Sequence, residues 1–295
     1  MRSEPITFAP VMTLTPATVH ALLAEHGIHP KKSLGQNFLV DANIARRIVG
    51  LAGVEEGSRV LEIGPGLGSL TLALCAQGAR VVAVEVDARL AGVLVSVLDQ
   101  AGVAGQVQVE IADANRADLE RLLVGLVADP PGPVTCVSNL PYNVAVPVVM
   151  RLLEDVPSVT QVVVMVQREV GERLAAKVGD EQYGAVSVKV AYFAEAALVG
   201  KVPPSVFVPR PKVDSALVRL ERREAPPVDV PSEAALFGLV RAGFSQRRKM
   251  LRRSLSGVLG DRATDVLDAA GVAPTARAEE LDLDAWAAVA RSAAA

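Results

Sequence analysis

Cysteine is scarce: the chain of 295 residues has two, Cys75 and Cys136. A disulfide scaffold is thereby excluded, and both residues sit in apolar stretches that read as buried thiols of a reducing compartment. Histidine is nearly as rare. His20, His26 and His29 all lie near the N-terminus, so no His/Cys zinc motif can be assembled and no metal is expected. No apolar run approaches the ~18 residues of a membrane span, and the first ten residues lack a signal-peptide core. A soluble, cytoplasmic protein without a membrane partner is expected. A charge surplus is missing as well: 30 basic against 33 acidic side chains leave a net −3. Any affinity for nucleic acid must therefore come from a local patch. Apolar residues are what the chain has in quantity, at 51%. That excludes global disorder and supplies a core for one large or two modest domains.

Residues 1–30 read as an N-terminal extension in which Thr15-Pro16 caps a short helix ending near Gly27. Asp41 is placed to cap a second helix through Ala52, with Ile44, Ile48, Val49 and Leu51 as its apolar stripe. From Ser58 onward, short apolar runs alternate with helical stretches. The runs are Arg59–Ile63, Arg80–Val84, Val107–Ile111, Val134–Val137 and Thr160–Val166. Strands apolar on both faces and separated by helices indicate a parallel sheet covered on both sides. Two later runs, Val186–Phe193 and Ser215–Leu220, read as further strands that can pair antiparallel. A polar, proline-rich stretch over 222–232 then marks a linker, and 233–295 reads as helices throughout.

The first run leads into Glu62-Ile63-Gly64-Pro65-Gly66-Leu67-Gly68, a glycine loop opening a helix. Glycines there allow a tight turn and let a ligand approach the backbone at a helix N-terminus. The spacing is G-x-G-x-G, and a dinucleotide site would place its third glycine one residue later. The second run ends in Glu85, about twenty residues on, where a carboxylate can hold both ribose hydroxyls of a nucleoside. The third ends at Asp113. Each acid in isolation reads as a solvated strand end. Three successive strand ends presenting Gly, Glu and Asp make a site for a ribose and an adenine, and this arrangement resembles the S-adenosylmethionine pocket of class I methyltransferases.

After the fourth run comes Ser138-Asn139-Leu140-Pro141-Tyr142-Asn143. An adenine N6 amine is a poor nucleophile because its lone pair is delocalised into the ring. Acceptors on its hydrogens favour pyramidalisation and direct that lone pair at the sulfonium methyl. Asn139 offers a side-chain carbonyl, Leu140 a backbone carbonyl held extended by Pro141, and Tyr142 a face for an unstacked base. Asp129-Pro130-Pro131-Gly132 resembles an adenine-methyltransferase motif, but it precedes the fourth run and reads as a turn.

Taken jointly, seven segments carry a wider resemblance. They are Lys32–Leu39, Glu62–Gly68, Val84–Asp87, Asn139–Tyr142, Pro203–Phe207, Pro211–Ser215 and Phe244–Lys249. From about Lys31 to Leu283 the chain resembles the KsgA/RsmA family of ribosomal RNA adenine N6-dimethyltransferases. The resemblance implies an α/β fold: a class I, Rossmann-like methyltransferase sheet of seven strands over 31–221, and a small C-terminal helical domain over 233–295 that binds RNA. It implies that Asn37 and Leu39 close over S-adenosylmethionine, that Gly64 and Gly66 contact it, and that Glu85 and Asp113 take its ribose and adenine ends. Asn139 would sit between cofactor and target amine, with Tyr142 and Phe207 sandwiching the base. The implied acceptor is a pair of adjacent adenosines near the 3′ end of 16S ribosomal RNA in a small-subunit (30S) precursor, and the enzyme would act as a monomer.

Between Arg241 and Arg253 stand Arg247, Arg248, Lys249, Arg252 and Arg253 with no acid among them. Such a run is ordinarily a solvated helix face. Beside a cleft that must hold a phosphate backbone it favours RNA contact, which Arg210 and Lys212 could extend. Three rival readings are a large-subunit methyltransferase conferring antibiotic resistance, a non-catalytic ribosome-assembly or transcription factor, and a small-molecule methyltransferase. The segments Pro211–Ser215 and Arg247–Lys249 favour the small-subunit enzyme.

Overall fold

The computed structural model describes residues 14–30, 35–127 and 132–295. The expected turn at Asp129–Pro131 and the segment Lys31–Leu34 lie outside the described residues. A two-stranded ribbon pairs β1 (Phe38–Leu39) with β8 (Phe207–Val208) in antiparallel register. The main sheet has the order β4-β3-β2-β5-β6-β9-β7. Its strands are β2 (Arg59–Ile63), β3 (Arg80–Glu85), β4 (Val107–Ile111), β5 (Val134–Asn139), β6 (Val159–Gln167), β7 (Ala194–Val202) and β9 (Ser215–Arg222). Parallel ladders join β2 to β3, β3 to β4, β2 to β5 and β5 to β6. Four of the five apolar runs become strands with both faces covered, Val60, Leu61, Val82, Ala83, Val137 and Val163 being fully buried, while the edge strand β4 has no buried residue.

Helices α1 (Pro16–Glu25), α2 (Ala42–Leu51), α3 (Ser69–Ala76), α4 (Ala88–Gln100), α5 (Leu119–Val127), α6 (Ala145–Asp155) and α7 (Arg168–Ala175) alternate with these strands. Their starts follow local chemistry. Thr15 and Asp41 accept amide protons at the heads of α1 and α2, as the sequence predicts. The segment read as an extension is packed: Leu14, Val19, Leu23 and Ile28 belong to the same apolar core as Ile48, Val49 and Leu74.

The chain divides into two units, residues Met1–Gly171 with Leu198–Leu220, and residues Glu172–Ala197 with Glu221–Ala295. The second contains α8 (Ala185–Phe193), α9 (Glu233–Ser245), α10 (Leu251–Ser254), α11 (Ser256–Leu259), α12 (Ala263–Ala269) and α13 (Leu283–Ala294). Its own core joins Tyr183, Val188 and Tyr192 to Phe237, Leu251 and Trp286. The domain boundary expected at 221 is corrected for Glu172–Ala197, which is expected in the methyltransferase domain but groups with the C-terminal helices.

Val186–Phe193 is helix α8, which corrects the strand expected there. Its alternation of Val with Ser and Lys has a strand period, but Gly184 N–H donates to Ser187 Oγ at the helix head. Ser187, Val188, Val190 and Tyr192 are buried, Val188 and Tyr192 within the helical core, so tertiary packing outweighs the β-branched propensity. The strand comes one segment later, as β7. Among the described residues no helix is long and apolar enough to cross a membrane.

Candidate active site

In the main sheet β3 and β4 run to one side of β2, and β5 and β6 to the other. The chain order reverses between β2 and β5, the switch point where open α/β sheets leave a crevice beyond their carboxyl ends. The ladder across that point is short, pairing Val60 with Thr135 and Leu61 with Cys136. Further along, Ile63 N–H donates instead to the buried Ser138 hydroxyl at 2.9 Å. The strands splay there, and a cavity of about 240 Å³ opens.

One wall is the glycine loop. Gly66 has φ +57°, and a Cβ there would meet the Phe38 ring at 3.1 Å. Gly68, at φ +98°, heads α3, where a Cβ would stand 2.7 Å from Leu94. Side chains are thus excluded on both backbone and steric grounds. Glu85, 5% exposed, ends β3. Its Oε2 accepts from Gly66 N–H at 3.1 Å and its Oε1 from Asp87 N–H at 3.0 Å. Burial raises its pKa, while these backbone donors oppose the rise by favouring the charged form. Asp113 lies past β4 on the same cavity and accepts from Asn115 N–H at 2.9 Å.

The opposite wall is the loop after β5. Asn139, its last strand residue, donates through Nδ2 to the Asn37 carbonyl at 3.3 Å. Oδ1 is left without a protein donor among the described residues. Leu140 N–H donates to Met165 O at 3.1 Å, fixing the start of the loop. Tyr142 lines the cavity, and its hydroxyl shares a 2.9 Å hydrogen bond with Ser215. Gly35, at φ +63°, lies so close to this loop that a Cβ would come within 3.2 Å of Pro141 and of the Tyr142 nitrogen. Asn37 and Leu39 follow it on the cavity lining, with the Leu39 carbonyl accepting from Ser69 Oγ at 2.5 Å. The structure thus brings Asn37, Leu39, Gly64, Gly66, Glu85, Asp113 and Asn139–Tyr142 to one cavity.

Phe207 is not among them. It is 3% exposed, faces Leu39 across the ribbon and belongs to the apolar core. The expected sandwich of a base between Tyr142 and Phe207 is corrected on that ground, because a ring packed in the core offers no open face. The aromatic residues on the cavity lining are Phe38 and Tyr142.

Two groups escaped sequence reading. Arg151 on α6 donates to the carbonyls of Ala114 at 2.7 Å and Ala117 at 2.5 Å, pinning the loop that carries Asp113. In the sequence it looks like any solvated helix arginine. Glu62 is 1% exposed and accepts from Thr71 Oγ1 at 2.7 Å. Burial, with a smaller contribution from the charge of Glu85, pushes its pKa up to about 8.

The basic residues fall in different units. Arg210 and Lys212 belong to the first unit, and Arg248, Lys249, Arg252 and Arg253 are exposed in the second. Arg247 differs from its neighbours. Its Nε meets Glu279 Oε2 at 2.6 Å and its Nη2 donates to the Glu181 carbonyl at 2.7 Å. The acid absent from its own segment is supplied from 32 positions away.

The glycine loop, the Glu85 and Asp113 carboxylates and the Asn139–Tyr142 loop thus meet on one cavity, and comparison with known proteins says what such a chain is similar to. The family model described as "Ribosomal RNA adenine dimethylase" matches residues 28–295. "Ribosomal RNA small subunit methyltransferase A" from Leifsonia xyli is 50% identical over 274 residues, covering 92% of this chain and 95% of its own. Among solved structures, a dimethyladenosine transferase from Plasmodium falciparum superposes with a TM-score of 0.70 at 25% identity, over 85% of this chain and 95% of that one. The 23S rRNA methyltransferase ErmE gives 0.64 at 28% identity, over 88% and 100%. With the strand order, the cavity and the match over nearly its whole length, the chain belongs to the ribosomal RNA adenine dimethylase family.

Proposed function

We propose that the chain transfers methyl groups from S-adenosylmethionine to N6 of two adjacent adenosines near the 3′ end of 16S ribosomal RNA, two on each. It would act as a cytoplasmic monomer on a small-subunit precursor. The observation that carries this reading is the meeting, in one cavity, of the Glu85 and Asp113 carboxylates with the Asn139–Tyr142 loop. The relatives' names point to the small subunit, and ErmE to the large-subunit alternative that the mapping experiment must separate.

The residues fit a bound nucleoside donor. Glu85 is a buried carboxylate already oriented by two amides, and it holds the ribose hydroxyls. Asp113 takes the adenine end. Gly64 and Gly66 leave the loop bare for backbone contact, and the Asn37–Leu39 segment closes beside it. The donor, when bound, supplies an activated methyl group. The chain's own work is on the acceptor. Tyr142 stacks on the flipped base. Asn139 Oδ1 and the Leu140 carbonyl accept from the N6 hydrogens, favouring the pyramidal, nucleophilic amine. As nitrogen gains positive charge its hydrogens become stronger donors, so fixed carbonyls stabilise the transition state more than the ground state. The alkylated amine is strongly acidic and releases its proton to water, so no dedicated base is assigned. Placement and fixed dipoles supply the rate.

Replacing Asn139 with Ala tests this. At saturating S-adenosylmethionine, the single-turnover yield of N6-methylated adenosine should slow by roughly 10²–10³-fold, by analogy with losing one oxyanion-hole donor. RNA affinity should hold. A rate within twofold of the parent would remove Asn139 from the chemistry.

A further inference from the structure

Ser215 opens β9 and is fully buried. Its hydroxyl reaches the far tip of the Tyr142 side chain at 2.9 Å, across 73 positions of sequence. The anchor is stiff. The residue before it accepts Arg168 N–H through the Asp214 carbonyl at 3.0 Å, and Ala216, Leu217 and Val218 after it are buried strand positions. Tyr142 itself sits on a loop, with Leu140 and Val144 pinned by backbone hydrogen bonds on either side. A tyrosine held at Cα alone turns about two torsions. Held also at its hydroxyl by a strand, its χ1 is set and the ring's long axis keeps one direction, because Oη lies on the χ2 axis.

We infer that Ser215 is a positioning residue for the target base, its hydroxyl tethering the Tyr142 ring to β9 as a preformed stacking wall. This rests on the reading that Tyr142 stacks on the acceptor adenine. Without the tether the ring must be ordered when the base arrives, and that cost falls on RNA recognition. The donor side of the cavity is built from the ends of β2, β3 and β4, whereas the tether joins the loop after β5 to β9, so cofactor affinity should not change.

The test compares Ser215→Ala, Tyr142→Phe, the double variant and Tyr142→Ala. Three readouts are used: KM for undermethylated small subunits, calorimetric affinity for S-adenosylmethionine, and fluorescence of 2-aminopurine placed at the target adenosine in a small-subunit 3′-end RNA. Ser215→Ala and Tyr142→Phe should each raise KM by about 3–10-fold, the range expected for one hydrogen bond. Both should alter the 2-aminopurine signal and leave cofactor affinity unchanged. The double variant should be no worse than either single one, because both remove the same bond. If Ser215→Ala does not fold, Tyr142→Phe carries the test alone, since it breaks the bond without disturbing β9. Parental KM and fluorescence in Tyr142→Phe, with both lost in Tyr142→Ala, would overturn the tether and leave the stacking role standing. Parental behaviour in Tyr142→Ala would overturn the stacking role, and the tether with it.

Discussion

Glu62 and Glu85 are neighbouring buried carboxyls in unlike settings. Glu85 accepts two backbone N–H groups, which favour its ionised form. Glu62 accepts one hydroxyl, from Thr71, and is 1% exposed. Burial raises the pKa of both, and only in Glu85 do backbone N–H groups oppose the rise; Glu62, pushed up to about 8, holds a proton near neutrality. This division has a consequence for stability. The folded pKa of Glu62 is about 8, against an ordinary 4.5. Between those values the folded chain keeps a proton that the unfolded chain releases, so its contribution is complete below the lower value and is lost as pH rises through the upper. Denaturant titrations should show the parent losing stability from pH 5 to 8 relative to Glu62→Gln, at roughly 1.4 kcal/mol per pH unit at most. Parallel curves for the two proteins would mean that Glu62 is ionised in the native state. The cysteines differ: burial pushes both thiols up to about 12, so both stay protonated near neutrality.

At the scale of elements, the turn after α9 and the short helix α10 hold the basic run. Arg248, Lys249, Arg252 and Arg253 are exposed, whereas Arg247 is tied to Glu279 and Glu181. Replacing the four exposed cations with Ala should reduce the salt dependence of RNA binding by about 0.7–0.9 in log–log slope for each phosphate no longer neutralised. Arg247→Ala should change that slope less and stability more. Equal slopes for parent and quadruple variant would make the run a solvated face. The same elements show what a sequence can and cannot tell. Strands β2, β3, β5 and β6 are legible because burial on both faces writes a nearly continuous apolar run, and the edge strand β4 by its alternation of apolar and polar residues. Val186–Phe193 was not, because a buried helix can carry a strand's alternation when its partners lie far along the chain. Phe207 was misplaced for a related reason: a motif names the residue, and only packing decides whether its ring is open.

For the whole molecule, a net charge of −3 leaves RNA recognition to local features, and the cleft is assembled from strand ends about 20–80 residues apart. Gly64, Glu85, Asp113 and Asn139 could each be found by reading the ends of successive strands. The partners of Arg151, Ser138 and Ser215 could not, since each acts on backbone or a side chain distant in sequence; Ser138 and Ser215 stand in marked segments, but nothing local points to Ile63 or Tyr142. The most direct measurement is made on the acceptor. Undermethylated small and large ribosomal subunits are incubated with the purified chain and S-adenosylmethionine, and methylated adenosines are mapped by mass in both RNAs. Two adjacent N6,N6-dimethyladenosines near the 3′ end of 16S RNA, absent with Asn139→Ala, are expected. Modification of the large-subunit RNA alone, or of neither, would contradict the proposed function.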